Sequence, residues 1–256
     1  MIKKSLKRAT IFRLAGLVFI VIAIIYFNRA YAYIYNHIDH ESLKAPVRVS
    51  SYLVSNNKMA SSSLTYVALG DSLTAGVGAN KLEEAYPYLL AKYFAGNNYQ
   101  INVKLRVVPG AKTRDLVNGL LPRVINDNPD IVTVLIGVND IHGEISKSEF
   151  RKNYDEILSR LTKETKAKIY VVSIPYIGAS NLLLPPYNYI FDSKTKDYNK
   201  IVLELSEKYG LKYIDLYTKT ESLFKESGSH YSADFFHPSA EGYKIWSDLI
   251  YADITN

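Results

Sequence analysis

Four short segments hold the residues best suited to chemistry: Gly70-Asp71-Ser72-Leu73-Thr74, Pro109-Gly110-Ala111, Gly137-Val138-Asn139-Asp140 and Asp234-Phe235-Phe236-His237-Pro238. A serine hydroxyl is a weak nucleophile at neutral pH and needs a neighbouring base to take its proton as it attacks an acyl carbon. His237 is a candidate base for Ser72. An imidazole in that role accepts through one ring nitrogen and donates through the other to an orienting carboxylate, which Asp234, three residues earlier, can provide. The negative charge that attack places on the former carbonyl oxygen must then be met by fixed donors, each worth about 3 kcal/mol of barrier. Gly110 suits close backbone approach, since a side chain there would stand in the way.

Taken singly, each segment also reads as a turn. Gly-Asp-Ser at a strand end caps a following helix, Gly137–Asp140 fits a strand-to-helix turn, and Asp234 or His237 before Pro238 fits a helix start. Asp71 and Asp140 read as carboxylates holding turns through backbone hydrogen bonds. His37, His40, His142 and His230 share no spacing and read as solvated, and no metal site is indicated. The neighbourhood of Ser72 lacks the second glycine of a G-x-S-x-G elbow. No phosphate loop of G-x-x-x-x-G-K-[ST] form and no H-E-x-x-H zinc helix occur, and Gly76-Val77-Gly78 alone is a weak signal.

The elements that must position these residues are short apolar runs alternating with amphipathic stretches. Leu64–Leu69, Ile101–Val108, Ile131–Ile136, Ile169–Ile174 and Leu211–Leu216 read as strands, buried on both faces rather than alternating. Between them lie helical patterns, such as Phe150, Tyr154, Ile157, Leu158 and Leu161, opened by a capping box at Ser146–Glu149. Strands separated by helices predict an α/β class with βαβ units and a mostly parallel sheet. Functional groups in such sheets collect beyond the carboxyl ends of the strands, where strand order reverses. Three of the four segments follow strand ends.

In this order and at these separations, the four segments resemble the blocks of the SGNH/GDSL hydrolase family over residues 64–254. The resemblance implies a three-layer α/β/α sandwich with a mostly parallel five-stranded, flavodoxin-like sheet. It implies a catalytic triad of Ser72, Asp234 and His237. An oxyanion hole would come from the backbone N–H groups of Ser72 and Gly110 and the side-chain amide of Asn139. The implied activity is that of a serine ester hydrolase of lipase or esterase type, lysophospholipase-like in its closest reading, with an acyl-serine intermediate and no cofactor. The family also contains esterases that remove acetyl groups from cell-envelope polysaccharide. A surface-anchored binding protein using the same fold without turnover is the alternative from outside enzymology.

The 256-residue chain is 48% hydrophobic, enough for one domain of ordinary size besides an N-terminal targeting region. Its net charge is +6, but Lys3, Lys4, Lys7, Arg8 and Arg13 contribute five of those charges before residue 28, where no acidic residue occurs. That placement argues against nucleic-acid binding and for membrane topology. With no cysteine, the chain has no disulfide, thiolate metal site or Cys nucleophile. The 22 tyrosines select no ligand.

The run Leu14–Phe27 carries no charge, and with Thr10–Arg13 in front it reaches spanning length. The expected order is a cytoplasmic basic tail at 1–10, a transmembrane signal-anchor at 11–27, a juxtamembrane stalk at 28–63 and the hydrolase domain at 64–256. The domain then lies outside the cytoplasm. The alternative is secretion after cleavage near Ala32, within the small-x-small pattern Ala30-Tyr31-Ala32. Within the stalk, Val47–Val54 could pair as an extra strand.

The segment Tyr176–Tyr198 bears on substrate. It is apolar and interrupted by proline, and two readings stand. Leu182, Leu183, Leu184 and Tyr187 line an acyl-binding groove or lid, or they pack internally over the sheet edge. Tethering beside a membrane and an apolar loop favour lipid-like acyl esters over acetylated glycans as partners.

Overall fold

The computed structural model describes residues 2–42, 49–57, 60, 62–96, 98–177 and 182–256. Residues 43–48, 58, 59 and 61 of the expected stalk, and 178–181 of the Tyr176–Tyr198 segment, lie outside the described residues.

Helix α1 (Ile2–Ser42) precedes strand β1 (Ser51–Ser55). There follow β2 (Ser62–Gly70), α2 (Ser72–Ala75), α3 (Tyr86–Ala95), β3 (Tyr99–Val107), α4 (Thr113–Asp115) and α5 (Leu121–Asn126). The second half runs β4 (Ile131–Leu135), α6 (Val138–His142), α7 (Lys147–Glu164), β5 (Lys168–Val172), α8 (Tyr187–Lys208), β6 (Lys212–Ile214), α9 (Leu216–Glu226) and α10 (Ala240–Thr255). Strand order is β1-β3-β2-β4-β5-β6, with β2 to β6 parallel. β1 is antiparallel to β3.

The five apolar runs are thus the five parallel strands, and Tyr66, Val67, Ala68, Leu69, Val132, Val134 and Val171 in three of them are fully buried. α10 packs against both α3 and α9, and α7 against both α5 and α8, which gives the outer layers. In α7 the Ser146 side chain accepts from the Glu149 N–H at 3.1 Å. Its buried positions are Phe150, Tyr154, Ile157, Leu158 and Leu161, the stripe that the periodicity predicts. Burial of each of Phe150, Ile157, Leu158 and Leu161 stabilises the fold by about 1.5–3 kcal/mol.

Two expectations need correction. The sheet is mixed and six-stranded rather than five-stranded, because Ser51–Ser55 pairs with Gln100–Lys104 and seats Val54 in the core. The folded unit therefore begins before residue 64. The first part of the region read as a juxtamembrane stalk is helical: α1 continues to Ser42. Ala30 and Ile34 lie one turn apart on one face and are buried at 4% and 1% exposure. The apolar side chains nearer the start of the same helix, such as Phe12, Phe19 and Ile22, are exposed. The helix is long and apolar enough to cross a membrane over Thr10–Asn36, with mean hydropathy 2.4.

β2 lies between β3 and β4, so the chain leaves it first to one side and then, after β3, to the other. This is the point of reversal, and Gly70 at its end faces Val107 and Leu135 across the two ladders. The turns carrying Ser72, Gly110 and Asn139 therefore open at one end of the sheet.

Candidate active site

Asp71 caps α2, its Oδ1 accepting from the Leu73 N–H at 3.0 Å, so that Ser72 is the first helical residue. An N–H at that position has no carbonyl partner within its own helix. The Ser72 hydroxyl lies 2.9 Å from His237 Nε2, and His237 Nδ1 lies 2.5 Å from Asp234 Oδ2. All three residues are buried. With the Nδ1 proton donated to Asp234, the Nε2 lone pair accepts from the Ser72 hydroxyl, the geometry of a nucleophile paired with its base.

The loop that carries Asp234 and His237 is held on several sides. Tyr231 and Pro238 form an antiparallel bridge, and the Ser232 N–H donates to the His237 carbonyl at 2.8 Å. Asp234 Oδ1 accepts from the Ser232 hydroxyl at 2.7 Å and from the N–H groups of Phe236 and His237 at 2.9 Å each. Burial alone would raise the Asp234 pKa, but hydrogen bonds and the His237 partner outweigh it and hold the carboxyl below its ordinary value. Gly78 touches the same loop from below. Its φ is 95°, and a Cβ there would meet the Pro238 carbonyl oxygen at 2.4 Å and His237 Cβ at 2.9 Å. Tyr243 donates its hydroxyl to the Val77 carbonyl at 2.7 Å, tying this turn to α10.

Asn139 joins the other two turns. Its Nδ2 donates to the Ala111 carbonyl at 3.0 Å and to Asp71 Oδ2 at 3.2 Å. Gly110 is exposed beside Ala111, with φ 80° and nothing within 4 Å of where a Cβ would stand. The left-handed backbone conformation is a further reason for glycine here, beside the close backbone approach that its lack of a side chain allows. Asp140, one residue beyond Asn139, accepts from the Thr113 hydroxyl at 2.6 Å and the Thr113 N–H at 3.0 Å, which fixes the turn after β3 to α6. Burial pushes Asp71 up to about 7 and Asp140 up to about 6. Among the described residues no group of three or more His, Asp or Glu side chains gathers as a metal-ligand set.

The substrate residues anticipated after β5 fare differently. Leu182 and Leu183 are buried in the hydrophobic core and present no surface to a groove. Leu184 and Tyr187 are half-buried. The segment is not a loop throughout, since α8 begins at Tyr187 after Pro186 in the N-cap position. His142 is not solvated: its ring lies 4.5 Å from that of Phe191 and 5.4 Å from that of Phe236, and burial lowers its pKa to about 4. His230 packs on Phe224. His37 and His40 have no described side-chain environment. Phe236 also meets the His237 ring at 4.9 Å, so a run of rings leads from the base to the start of α8.

Sequence reasoning missed Ser232, Gly78 and Phe236. The available signals were weak ones: a hydroxyl two residues before Asp234, and a glycine on a turn otherwise noted only as Gly-x-Gly.

The chain is 26% identical to the spore germination lipase LipC of Bacillus licheniformis over 213 residues, covering 74% of this chain and 95% of the lipase. The crystal structure of a lipase/acylhydrolase from Enterococcus faecalis superposes with a TM-score of 0.61 at 24% identity, covering 75% of this chain and 95% of that one. An acetylxylan esterase from Geobacillus stearothermophilus superposes with a TM-score of 0.60 at 19% identity, over 77% and 97% of the two chains. These likenesses establish the shared fold. The family's own sequence model matches residues 68–245, more than half of the chain, and this chain belongs to the GDSL-like lipase/acylhydrolase family.

Proposed function

We propose that the protein hydrolyses carboxylic esters through an acyl-serine intermediate, with Ser72 as nucleophile, His237 as base and Asp234 as the orienting carboxylate. The observation that carries this reading is the continuous buried relay from the Ser72 hydroxyl through His237 to Asp234. Ser72 Oγ attacks the ester carbonyl as its proton passes to His237 Nε2, and the resulting imidazolium is stabilised by Asp234. The tetrahedral oxyanion is met by the N–H groups of Ser72 and Gly110 and by the Asn139 amide. Collapse expels the alcohol, which takes the proton from His237. Water then repeats the sequence and frees the acid.

The basic cluster before the apolar run keeps the N-terminus in the cytoplasm and puts the domain outside it, anchored by residues 11–27. Packing of Ala30 and Ile34 against the domain supports retention of the helix over cleavage near Ala32. A tethered domain and a lipase among its relatives favour lipid-like acyl esters. Removal of acetyl groups from an envelope glycan is the second reading, since an acetylxylan esterase uses the same fold. Nitrophenyl esters of graded chain length separate the two. Turnover rising from acetyl to longer chains, and abolished in Ser72→Ala, is the expected result; turnover confined to acetyl esters favours the glycan reading, and equal turnover in Ser72→Ala refutes the mechanism.

A further inference from the structure

Helix α1 changes partners part-way along its length. The charge-free apolar run Leu14–Phe27 ends before Arg29, and with Thr10–Arg13 in front of it the 18 residues to Phe27 measure about 27 Å, close to the hydrocarbon thickness of a bilayer. At that level the helix meets one segment of the domain. The Tyr26 hydroxyl donates to the Pro185 carbonyl at 3.0 Å, and the Tyr187 hydroxyl donates to the Phe27 carbonyl at 3.2 Å. The Phe27 and Tyr31 rings lie 6.5 and 6.3 Å from that of Tyr187. Farther along, the Tyr35 hydroxyl donates to the His142 carbonyl at 3.3 Å. Two apolar side chains of the first turn of α8 remain uncovered: Tyr189 is 70% exposed and Ile190 42% exposed. Tyrosines at the end of a spanning helix sit at headgroup depth, so these contacts fix Pro185–Phe191 at the same depth. The same segment reaches the site through Phe191, His142, Phe236 and His237.

We infer that the first turn of α8 is a membrane-contact surface, that Tyr189 and Ile190 enter the headgroup region of the extracytoplasmic leaflet beside α1, and that the site takes acyl esters from that leaflet. The inference rests on the proposed membrane-anchored esterase and names where its substrate comes from. Apolar and aromatic groups held at an interface stabilise contact with it, and a charge there opposes entry. The docked helix sets the domain's height and orientation, which a flexible tether would not.

The test uses the full chain reconstituted in phosphatidylcholine vesicles. Trp246, the single tryptophan, is buried and serves as an internal reference. In Tyr189→Trp, brominated phosphatidylcholine should quench the added emission by about half or more while leaving wild-type emission unchanged, as expected of an indole at headgroup depth. Absence of quenching overturns the inference. A Tyr189→Asp/Ile190→Asp double variant should lose roughly tenfold in turnover of a long-chain ester embedded in the vesicles, through KM, and keep its rate on soluble nitrophenyl acetate. Unchanged vesicle turnover, or equal loss on both substrates, also overturns it. Failure of the wild type on every ester refutes the proposed activity instead, and the quenching measurement still decides the surface.

Discussion

The two sides of the site are built differently. On the side of the base, Ser72, His237 and Asp234 are buried, and Asp234 accepts four hydrogen bonds from its own loop. On the other side Gly110 is exposed and Val108 is 47% exposed, while Asn139 is half-buried and its amide spans Ala111 and Asp71. In the proposed mechanism, the difference teaches that activation of Ser72 is preset, whereas the proposed oxyanion position is an open corner whose side-chain donor is oriented by two acceptors. A preset base needs no substrate to assemble it. An open donor corner admits the carbonyl oxygen, which must take the place of one of the two acceptors, since the Asn139 amide has only two N–H donors.

The contrast breaks most visibly at Asn139. Asn139→Ala should lower kcat by roughly 10²–10³-fold while leaving reaction of Ser72 with a small acylating agent measurable, as expected for loss of one oxyanion donor. A loss below about tenfold would remove Asn139 from that role and leave it as a tie between turns. Ser232→Ala sharpens the other half. It removes one of the donors to a buried carboxylate, so it should cost about 1–3 kcal/mol of stability in denaturant melts, with kcat lowered far less than in Asn139→Ala. A fall in kcat as large as that of Asn139→Ala would mean that the base side is not preset.

The smallest effect concerns pH. Asp71 is raised from 3.8 to about 7, first by burial and next, among the effects that raise it, by the charge of Asp140. The folded chain then holds a proton that the unfolded chain has released, so this contribution is fully present below the ordinary carboxylate value and is lost as pH rises through about 7. Asp140 acts in the same direction. Asp234 acts oppositely: its contribution is present above its ordinary value and lost as pH falls through its lowered one. Asp71→Asn should therefore flatten the decline of stability with rising pH between the ordinary carboxylate value and neutrality. An unchanged slope in pH-dependent denaturant melts would contradict the buried-proton account.

The parallel strands were legible because both of their faces are buried, which writes them as continuous apolar runs. β1 was legible only as one option for Val47–Val54: of Ser51–Ser55 only Val54 is buried, and the pairing that makes it a strand comes from residues about fifty positions away. The start of α8 was hidden by Pro185 and Pro186, although Tyr198, Ile201, Val202 and Leu205 carry a helical stripe beyond them. At the site, Ser72, Asp234 and His237 could be proposed because their types suit the chemistry and their segments resemble the family's blocks. The exposure of Gly110, the two acceptors on Asn139 and the burial of Leu182 and Leu183 depend on which turns meet, and spacing along a chain does not encode that.

The central claim is that Ser72 is the nucleophile activated by His237. The most direct measurement is mass-spectrometric mapping of the adduct formed by a fluorophosphonate probe. The account predicts a single adduct on Ser72, formed rapidly by the wild type and slowed by at least about 10³-fold in His237→Ala. An adduct on a different residue, or equal labelling of Ser72 in both proteins, would contradict it.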